Sequence, residues 1–312
     1  MKYGAHSPAE FLWGVATSAY QAEGGYNGAG EPKTNWAAAE EAREVVPSGR
    51  AAEFWTRFRD DFALCRELGL NAFRLSIEWS RVQPTLVDRA SAPPLFDYDA
   101  LDHYAEMLAA CRHAGLEPIV TLHHFVHPAW LGPDPWLLPE SAVLFSRYVT
   151  ETVRYLNCKL TESHQLPPIH YYITVNEPNM LVLNTYLGSQ FPSRAPAGLK
   201  NFIAALTELL RGHVLAYNCV HDIYRDQGWP EPAVSFNNHC SDIYWSDKLW
   251  LDLLSLRTAS VERAGVEDHM QTQAQRFAAA FEHAPVPLHR DLPYWAGALL
   301  KKNSERAGRP LL

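Results

Sequence analysis

Tyr171-Tyr172-Ile173-Thr174-Val175-Asn176-Glu177-Pro178-Asn179 is the segment from which the fold prediction starts. Its first five residues are β-branched or aromatic, which is typical of a parallel strand covered on both faces. Pro178 lacks an N–H and ends the strand, and we expect the residue before it to have an extended backbone. Since parallel α/β folds bind ligands at the carboxyl ends of their strands, Asn176 and Glu177 are predicted to lie at a ligand site.

Four further segments have the composition of strands and end in polar residues: 11–17, 72–79, 118–125 and 233–238. Between them, apolar residues recur at helical spacing over 52–70, 98–115, 141–160 and 199–228. The repeat of strand, polar loop and helix predicts an α/β protein of the (β/α)8 TIM-barrel type. No glycine-rich phosphate loop follows the first strand, which argues against the competing doubly wound sheet.

The pattern changes after Trp245, where residues 248–256, 261–283 and 295–306 are predicted to be helical. Only the short segment 285–288 has an extended pattern. The sequence therefore predicts five strands of a barrel that needs eight, in a single barrel domain over residues 1–312, with strands 6–8 not present in the chain. Five parallel strands leave two apolar edges open. Either the rest of the barrel is missing from this chain, or a homo-oligomer or a second polypeptide covers these edges.

Composition restricts the kind of partner. The chain has 312 residues, of which 47% are hydrophobic and 20% charged, as in ordinary globular proteins. A formal charge of −8 without basic patches argues against nucleic acid and anionic membranes, and favours a neutral small molecule. We expect no leader and no membrane span, because no apolar run is long enough. Five widely spaced cysteines without a CxxC pair indicate reduced thiols in the cytoplasm.

Four motifs together resemble glycoside hydrolase family 1, the retaining β-glucosidases and their relatives. They are Phe11-Leu12-Trp13-Gly14-Val15-Ala16-Thr17-Ser18-Ala19-Tyr20-Gln21-Ala22-Glu23-Gly24, Phe73-Arg74-Leu75-Ser76-Ile77-Glu78-Trp79-Ser80-Arg81, Thr121-Leu122-His123-His124-Phe125 and Thr174-Val175-Asn176-Glu177-Pro178. The resemblance extends from about Phe11 to about Asn238. It implies a β-glucosidase-like glycosidase that acts on small β-glycosides without a cofactor or a metal ion.

The resemblance also implies roles for individual residues. Glu177 would be the general acid/base, and Asn176 would bind the 2-hydroxyl of the sugar. Gln21 and His124 would bind other hydroxyls of the same ring, and Arg74 would lie beneath it, directed toward the partner carboxylate.

Two further amides and one substitution complete this comparison with the family. Asn237 or Asn238 would also reach the site. Phe125 stands where the family often has tryptophan, which keeps an apolar contact but loses an indole N–H.

The family's nucleophile is the main absence. Retaining hydrolysis needs two carboxyl groups about 5–5.5 Å apart, and no Thr-Glu-Asn-Gly type motif occurs in this sequence. We therefore expect the chain alone to hydrolyse β-glucosides very weakly or not at all. A chain that belongs to a longer enzyme and a complete chain are both compatible with this pattern.

Two other functions compete with a glycosidase. One is a catalytically inactive sugar-binding or regulatory relative with the same fold. The other is a metal-dependent barrel hydrolase, because His123, His124 and His127 lie close together near a strand end and histidine is a common zinc ligand. Neighbouring strand residues point to opposite faces, however, which argues against a shared metal. Trp130 and Trp136 are predicted either to form an aglycone platform or to pack the loop.

Overall fold

A computed structural model describes residues 11–26, 30–84, 93–239 and 248–282 of the chain. It divides the chain into two compact units, Met1–Asn237 and Asn238–Leu312. The single barrel domain over residues 1–312 stays a prediction, because much of the second unit lies outside the described residues.

The first unit is built on a parallel sheet with the order β1-β2-β3-β4-β5. The strands are β1 Gly14–Ala16, β2 Ala72–Ser76, β3 Glu117–Thr121, β4 Tyr171–Asn176 and β5 Ala233–Asn237. Since each strand pairs with the next one in sequence and helices cross between them, this is the first part of a (β/α) barrel. The predicted fold class is confirmed, and the structure is a partial barrel.

Ten α-helices occur among the described residues: α1 Ala19–Ala22, α2 Asn35–Glu41, α3 Phe54–Glu67, α4 Trp79–Val82, α5 Tyr98–His113, α6 Ser141–Cys158, α7 Pro178–Tyr186, α8 Leu199–Gln227, α9 Leu249–Leu254 and α10 Val266–Glu282. The first eight belong to the first unit, and the last two to the second. No helix among the described residues is both long enough and apolar enough to cross a membrane. The helix predicted over 295–306 and the extended segment predicted over 285–288 lie outside the described residues.

Aromatic side chains fill the layer between the sheet and its helices. Phe73 of β2 stacks on Phe54 of α3 at 5.5 Å and meets Phe62 edge-on at 5.0 Å. Deeper in the layer, Asn157 of α6 donates to the hydroxyls of Tyr172 and Tyr224, at 2.8 and 3.0 Å. These buried polar groups are satisfied, so the helices are fixed in register against the sheet.

The edge strand β1 is much less covered. Its three residues are exposed, and the side chains of Phe11 and Trp13 just before it are 71% and 65% exposed. Exposed aromatics beside an edge strand are unusual for a closed surface, because strand edges promote association.

Strand ends differ from the sequence prediction in an informative way. β2 stops at Ser76 and not at residue 79, because Glu78 caps α4 by accepting from the Ser80 N–H. β3 stops at Thr121, which leaves His123, His124 and Phe125 beyond the strand. Polar residues assigned to strands therefore belong to the loops at the carboxyl edge of the sheet.

Candidate active site

Glu177 lies directly after β4 and its side chain is partly exposed. The expected extended backbone is wrong: φ is 40° and ψ is 60°, in the left-handed region. Proline disfavours the right-handed helical region for the preceding residue, and here the chain takes the left-handed alternative, because Pro178 starts α7 immediately. The Glu177 N–H donates to the carbonyl of Asn237 at 2.8 Å, which fixes this turn to the end of β5.

A left-handed conformation costs a residue with a side chain about 1–2 kcal/mol. The fold accepts this strain at the residue that carries the candidate acid. Strained backbone of this kind is concentrated at functional sites.

Arg74 of β2 connects the ends of three strands. Its Nε donates to the Thr121 hydroxyl at 2.9 Å, and its Nη2 donates to Oδ1 of Asn176 at 2.6 Å and to Oδ1 of Asn237 at 3.3 Å. A register shift between Ile173 and Asn176 places Asn176 opposite Asn237. Burial lowers the pKa of Arg74, and the charge of Glu177 partly offsets this shift. The guanidinium, both amides and the Glu177 carboxyl therefore belong to one electrostatic site.

His124 borders this site. Burial, and then the positive charge of Arg74, lower its pKa from 6.5 to about 3, so the imidazole is neutral at physiological pH. Its Nδ1 is buried and has no hydrogen-bond partner in the part of the chain that the structure describes. A buried imidazole nitrogen without a partner is suited to a ligand hydroxyl.

Gln21 and Asn238 are less closely tied to this group. Gln21 is exposed on α1, and its Oε1 accepts from the Ser18 hydroxyl at 2.7 Å. The first N–H of α1, that of Ala19, donates to Ser76 at the end of β2 at 2.6 Å, so α1 lies at the carboxyl edge of the sheet. Asn238 begins the second unit. The predicted roles of Gln21 and Asn238 stay predictions.

The two loop tryptophans pack within the protein. Trp136 is 3% exposed and meets His123 and Phe145. Trp130 donates from Nε1 to the Gln83 carbonyl at 2.9 Å and meets Trp79 edge-on. Of the two alternatives, loop packing describes Trp136, and the observed contacts of Trp130 are also packing contacts.

The histidine cluster does not form a metal site. His123 is 1% exposed among aromatic rings, and Nε2 of His127 lies 3.1 Å from the Gly132 carbonyl. No group of three His, Cys, Asp or Glu side chains that could hold a metal ion occurs among the described residues. The described residues therefore give no support to the metal-dependent alternative.

Sequence reasoning missed Thr121 and a buried ionic cluster. Thr121 is fully buried and is the hydrogen-bond acceptor for Nε of Arg74. Glu23 and Arg81 form a buried ion pair, with Nε 2.7 Å from Oε2. The signal was present, because all three residues belong to motifs that resemble the family, but residue type alone does not show which side chains point inward.

The site supplies one carboxyl group beside a buried guanidinium, with two amides and a neutral imidazole around it. A carboxyl group in this position can donate a proton to a glycosidic oxygen, and the amides and the imidazole around it can bind several hydroxyls. Among the described residues, Glu177 is the carboxylate whose charge acts on Arg74, whereas retaining hydrolysis requires two carboxyl groups.

Comparisons with known proteins identify the family to which the chain belongs. The sequence model of glycosyl hydrolase family 1 matches residues 4–241. The chain is 32% identical over 217 residues to 6-phospho-beta-galactosidase 1 of Streptococcus pneumoniae. This alignment covers 69% of this chain and 43% of that protein. It is 27% identical over 222 residues to the 6-phospho-beta-galactosidase of Staphylococcus aureus, covering 71% and 43%.

Solved structures show the same likeness. An enzyme from Alicyclobacillus herbarius superposes with a TM-score of 0.62 and 25% identity, over 76% of this chain and 50% of that one. A beta-glycosidase from Pyrococcus horikoshii superposes with a TM-score of 0.59 and 27% identity, over 80% of this chain and 54% of that one. The chain thus spans less than half the length of these curated relatives. Since the family model matches most of its residues, this chain belongs to glycosyl hydrolase family 1.

Proposed function

We propose that the chain carries the acid/base half of a retaining β-glycosidase site, with Glu177 as the proton donor. The observation that supports this most is the Arg74 network, because one guanidinium orients Asn176 and Asn237 and lies within the electrostatic influence of the Glu177 carboxylate. With its Oδ1 held by Arg74, Asn176 would direct Nδ2 to the 2-hydroxyl of a sugar. His124 and Gln21 would bind other hydroxyls of the same sugar.

The nucleophile is proposed to come from polypeptide outside this chain. The relatives named above are more than twice as long as the aligned region, which supports this assignment. The substrate is proposed to be a small β-glycoside. Since both curated relatives are named for 6-phospho-β-galactosides, phosphorylated and unphosphorylated glycosides need to be compared.

Turnover tests this proposal. The chain alone is expected to hydrolyse p-nitrophenyl β-D-glucoside and p-nitrophenyl β-D-galactoside 6-phosphate far more slowly than about 10 per second, a typical enzyme rate. Fusing the chain to the unmatched carboxyl-terminal part of the S. pneumoniae relative should restore turnover, and Glu177→Gln should abolish it again. Full activity of the chain alone would refute the need for an external nucleophile, and restored turnover that is insensitive to Glu177→Gln would refute the acid/base role.

A partner for the open sheet is part of the same proposal. A cavity of about 400 Å³ runs beside β4 and β5, between Tyr171, Ile173, Tyr217 and Ser235. With the exposed aromatics before β1, it supports coverage by a second polypeptide or a second copy of the chain. Native mass spectrometry that finds only a stable 35.2 kDa monomer would argue against this.

Free thiols at Cys65, Cys111, Cys158 and Cys219 support the proposed cytoplasmic location.

A sugar-binding relative without catalysis is the second candidate. It is favoured by the single carboxylate that acts on Arg74 in the described structure. It predicts that methyl β-D-thioglucoside binds with the same affinity to the original chain and to Glu177→Gln, and that the fusion also gives no turnover.

A further inference from the structure

A buried ionic cluster joins the segment after α1 to the segment after β2. Glu23, Glu78 and Arg81 are 2%, 4% and 6% exposed. Glu23 follows α1, Glu78 caps α4, and Arg81 lies within α4. Two carboxyl groups and one guanidinium therefore share a region from which water is excluded.

The guanidinium is committed to Glu23. Arg81 donates from Nε to Oε2 of Glu23 at 2.7 Å and from Nη2 to the Gly24 carbonyl at 2.7 Å. Glu23 also accepts from the hydroxyls of Tyr26 and Tyr104, at 2.5 and 2.9 Å. This carboxylate has a cation and two hydroxyl donors, so both of its oxygens are satisfied.

Within the part of the chain that the structure describes, Glu78 has no hydrogen bond to a cation. Its Oε1 accepts from the N–H and hydroxyl of Ser80, at 3.3 and 3.0 Å, and both donors are neutral. The titratable or charged groups that face it are Glu23 and Tyr26 after α1, Arg81 on α4, Tyr104 on α5 and Tyr148 on α6. Beyond them, the partly exposed Glu31 lies 3.8 Å from Nη1 of Arg81. Burial, and then the charge of Glu23, raise the pKa of Glu78 from 4.5 to about 7.

The two carboxyl groups are mechanically connected. The Tyr104 hydroxyl donates to Oε1 of Glu23 and accepts from the backbone N–H of Glu78 at 3.0 Å. Helix α1 is held at its start by Ser76 and just after its end by Glu23. A second negative charge at Glu78 would repel Glu23 and loosen the second of these attachments.

We propose that Glu78 is a positioning residue that works in its protonated form, and that neutral Glu78 allows Glu23 and Arg81 to hold α1, and with it Gln21, at the mouth of the site. Loss of this proton loosens the attachment at the end of α1. The effect on sugar binding rests on the proposed function, whereas the effect on α1 does not.

The pH range follows from linkage. A carboxyl group with a raised pKa binds its proton more tightly in the folded chain than in the unfolded chain. Its contribution to stability is complete below about pH 4.5 and is lost as the pH rises through about 7. Replacement by glutamine keeps the neutral form at every pH.

The test compares the original chain, Glu78→Gln and Glu106→Gln. Glu106 is an exposed residue on α5 and receives the same chemical change. The melting temperature of Glu78→Gln should be close to that of the original chain at about pH 5 and exceed it by roughly 5–10 °C at about pH 8. The difference in melting temperature between Glu106→Gln and the original chain should not change with pH over this range. If the melting temperature of Glu78→Gln does not rise relative to that of the original chain as the pH increases, the proposal is overturned.

Hydrogen exchange reads the position of α1 directly. The N–H groups of Ala22 and Glu23 donate to the carbonyls of Ser18 and Ala19, at 3.0 and 2.8 Å. At about pH 8 they should exchange roughly tenfold more slowly in Glu78→Gln than in the original chain, because α1 stays attached. Equal exchange in the two proteins would overturn the positioning role even if the melting temperatures differ.

Sugar affinity separates this proposal from the proposed function. Between about pH 6 and pH 8, binding of methyl β-D-thioglucoside should weaken roughly tenfold in the original chain and stay constant in Glu78→Gln. A parallel loss in both proteins would overturn the link from Glu78 to the sugar site. If neither protein binds the sugar at any pH, the proposed function fails, and the melting and exchange results still decide the role of Glu78.

Discussion

Glycine at position 177 should make the chain more stable than alanine does, although alanine is normally the better choice in a folded backbone. Both substitutions remove the carboxyl group, so their difference reports the backbone alone. Glu177 has φ of 40° and ψ of 60°. Alanine in this conformation retains a cost of about 1–2 kcal/mol, which glycine does not have.

The size of the effect follows from two opposing contributions. Glycine loses about 0.4–1 kcal/mol, because it gives the unfolded chain more conformational freedom. The net advantage of Glu177→Gly over Glu177→Ala is therefore about 0.5–1 kcal/mol, or roughly 1–4 °C in melting temperature for a chain of this size.

Denaturant and thermal unfolding of both variants measure this difference. The matched control is Glu106, in the middle of α5, where glycine should be about 0.5–1 kcal/mol less stable than alanine. If position 177 behaves like position 106, the left-handed turn is refuted, and the extended backbone expected before proline is restored.

Two further substitutions, one of them measured at several pH values, test the surroundings of the site. Arg74→Met should lower the free energy of unfolding by about 2–4 kcal/mol, because it removes the donor for the buried Thr121 and Asn176 oxygens. A loss below about 1 kcal/mol in urea unfolding would contradict the hydrogen-bond network around Arg74. His123→Phe should raise stability by about 1 kcal/mol at neutral pH, since both ring nitrogens of His123 are buried without a partner among the described residues. Burial lowers the pKa of His123 from 6.5 to about 3, so the original chain loses stability as the pH falls below 6.5, whereas His123→Phe does not. The stability advantage of His123→Phe should therefore grow toward about pH 5, and a constant advantage across this range would count against a neutral, buried imidazole.

The sequence predicts the strand order and the carboxyl-edge location well, for a physical reason. Tyr171 to Val175 and the other strand segments are apolar and β-branched, and only a sheet covered by helices buries such runs. Polar residues at their ends must leave that layer, which places His124, Asn176 and Glu177 at one edge. The side chain of Arg74 reaches this edge from within β2.

Backbone geometry and side-chain pairing were harder to predict. The proline rule excludes one conformation for Glu177 but leaves two, and the start of α7 at Pro178 decides between them. Arg74 and Glu78 occupy alternate positions in the motif, and such positions share one face if the strand continues through both. In the structure β2 ends between them, so Arg74 contacts the site while Glu78 joins Glu23 and Arg81. Such choices depend on contacts over about 50 to 160 residues of sequence, which local patterns do not contain.

A crystal structure of the chain with methyl β-D-thioglucoside tests the central claim most directly. The account predicts a pyranose ring at the carboxyl edge of the sheet, with a Glu177 carboxylate oxygen within about 3.5 Å of the glycosidic sulfur and the Asn176 amide on the 2-hydroxyl. A sugar that binds elsewhere, or a ring more than about 10 Å from the Glu177 carboxyl group, would contradict it.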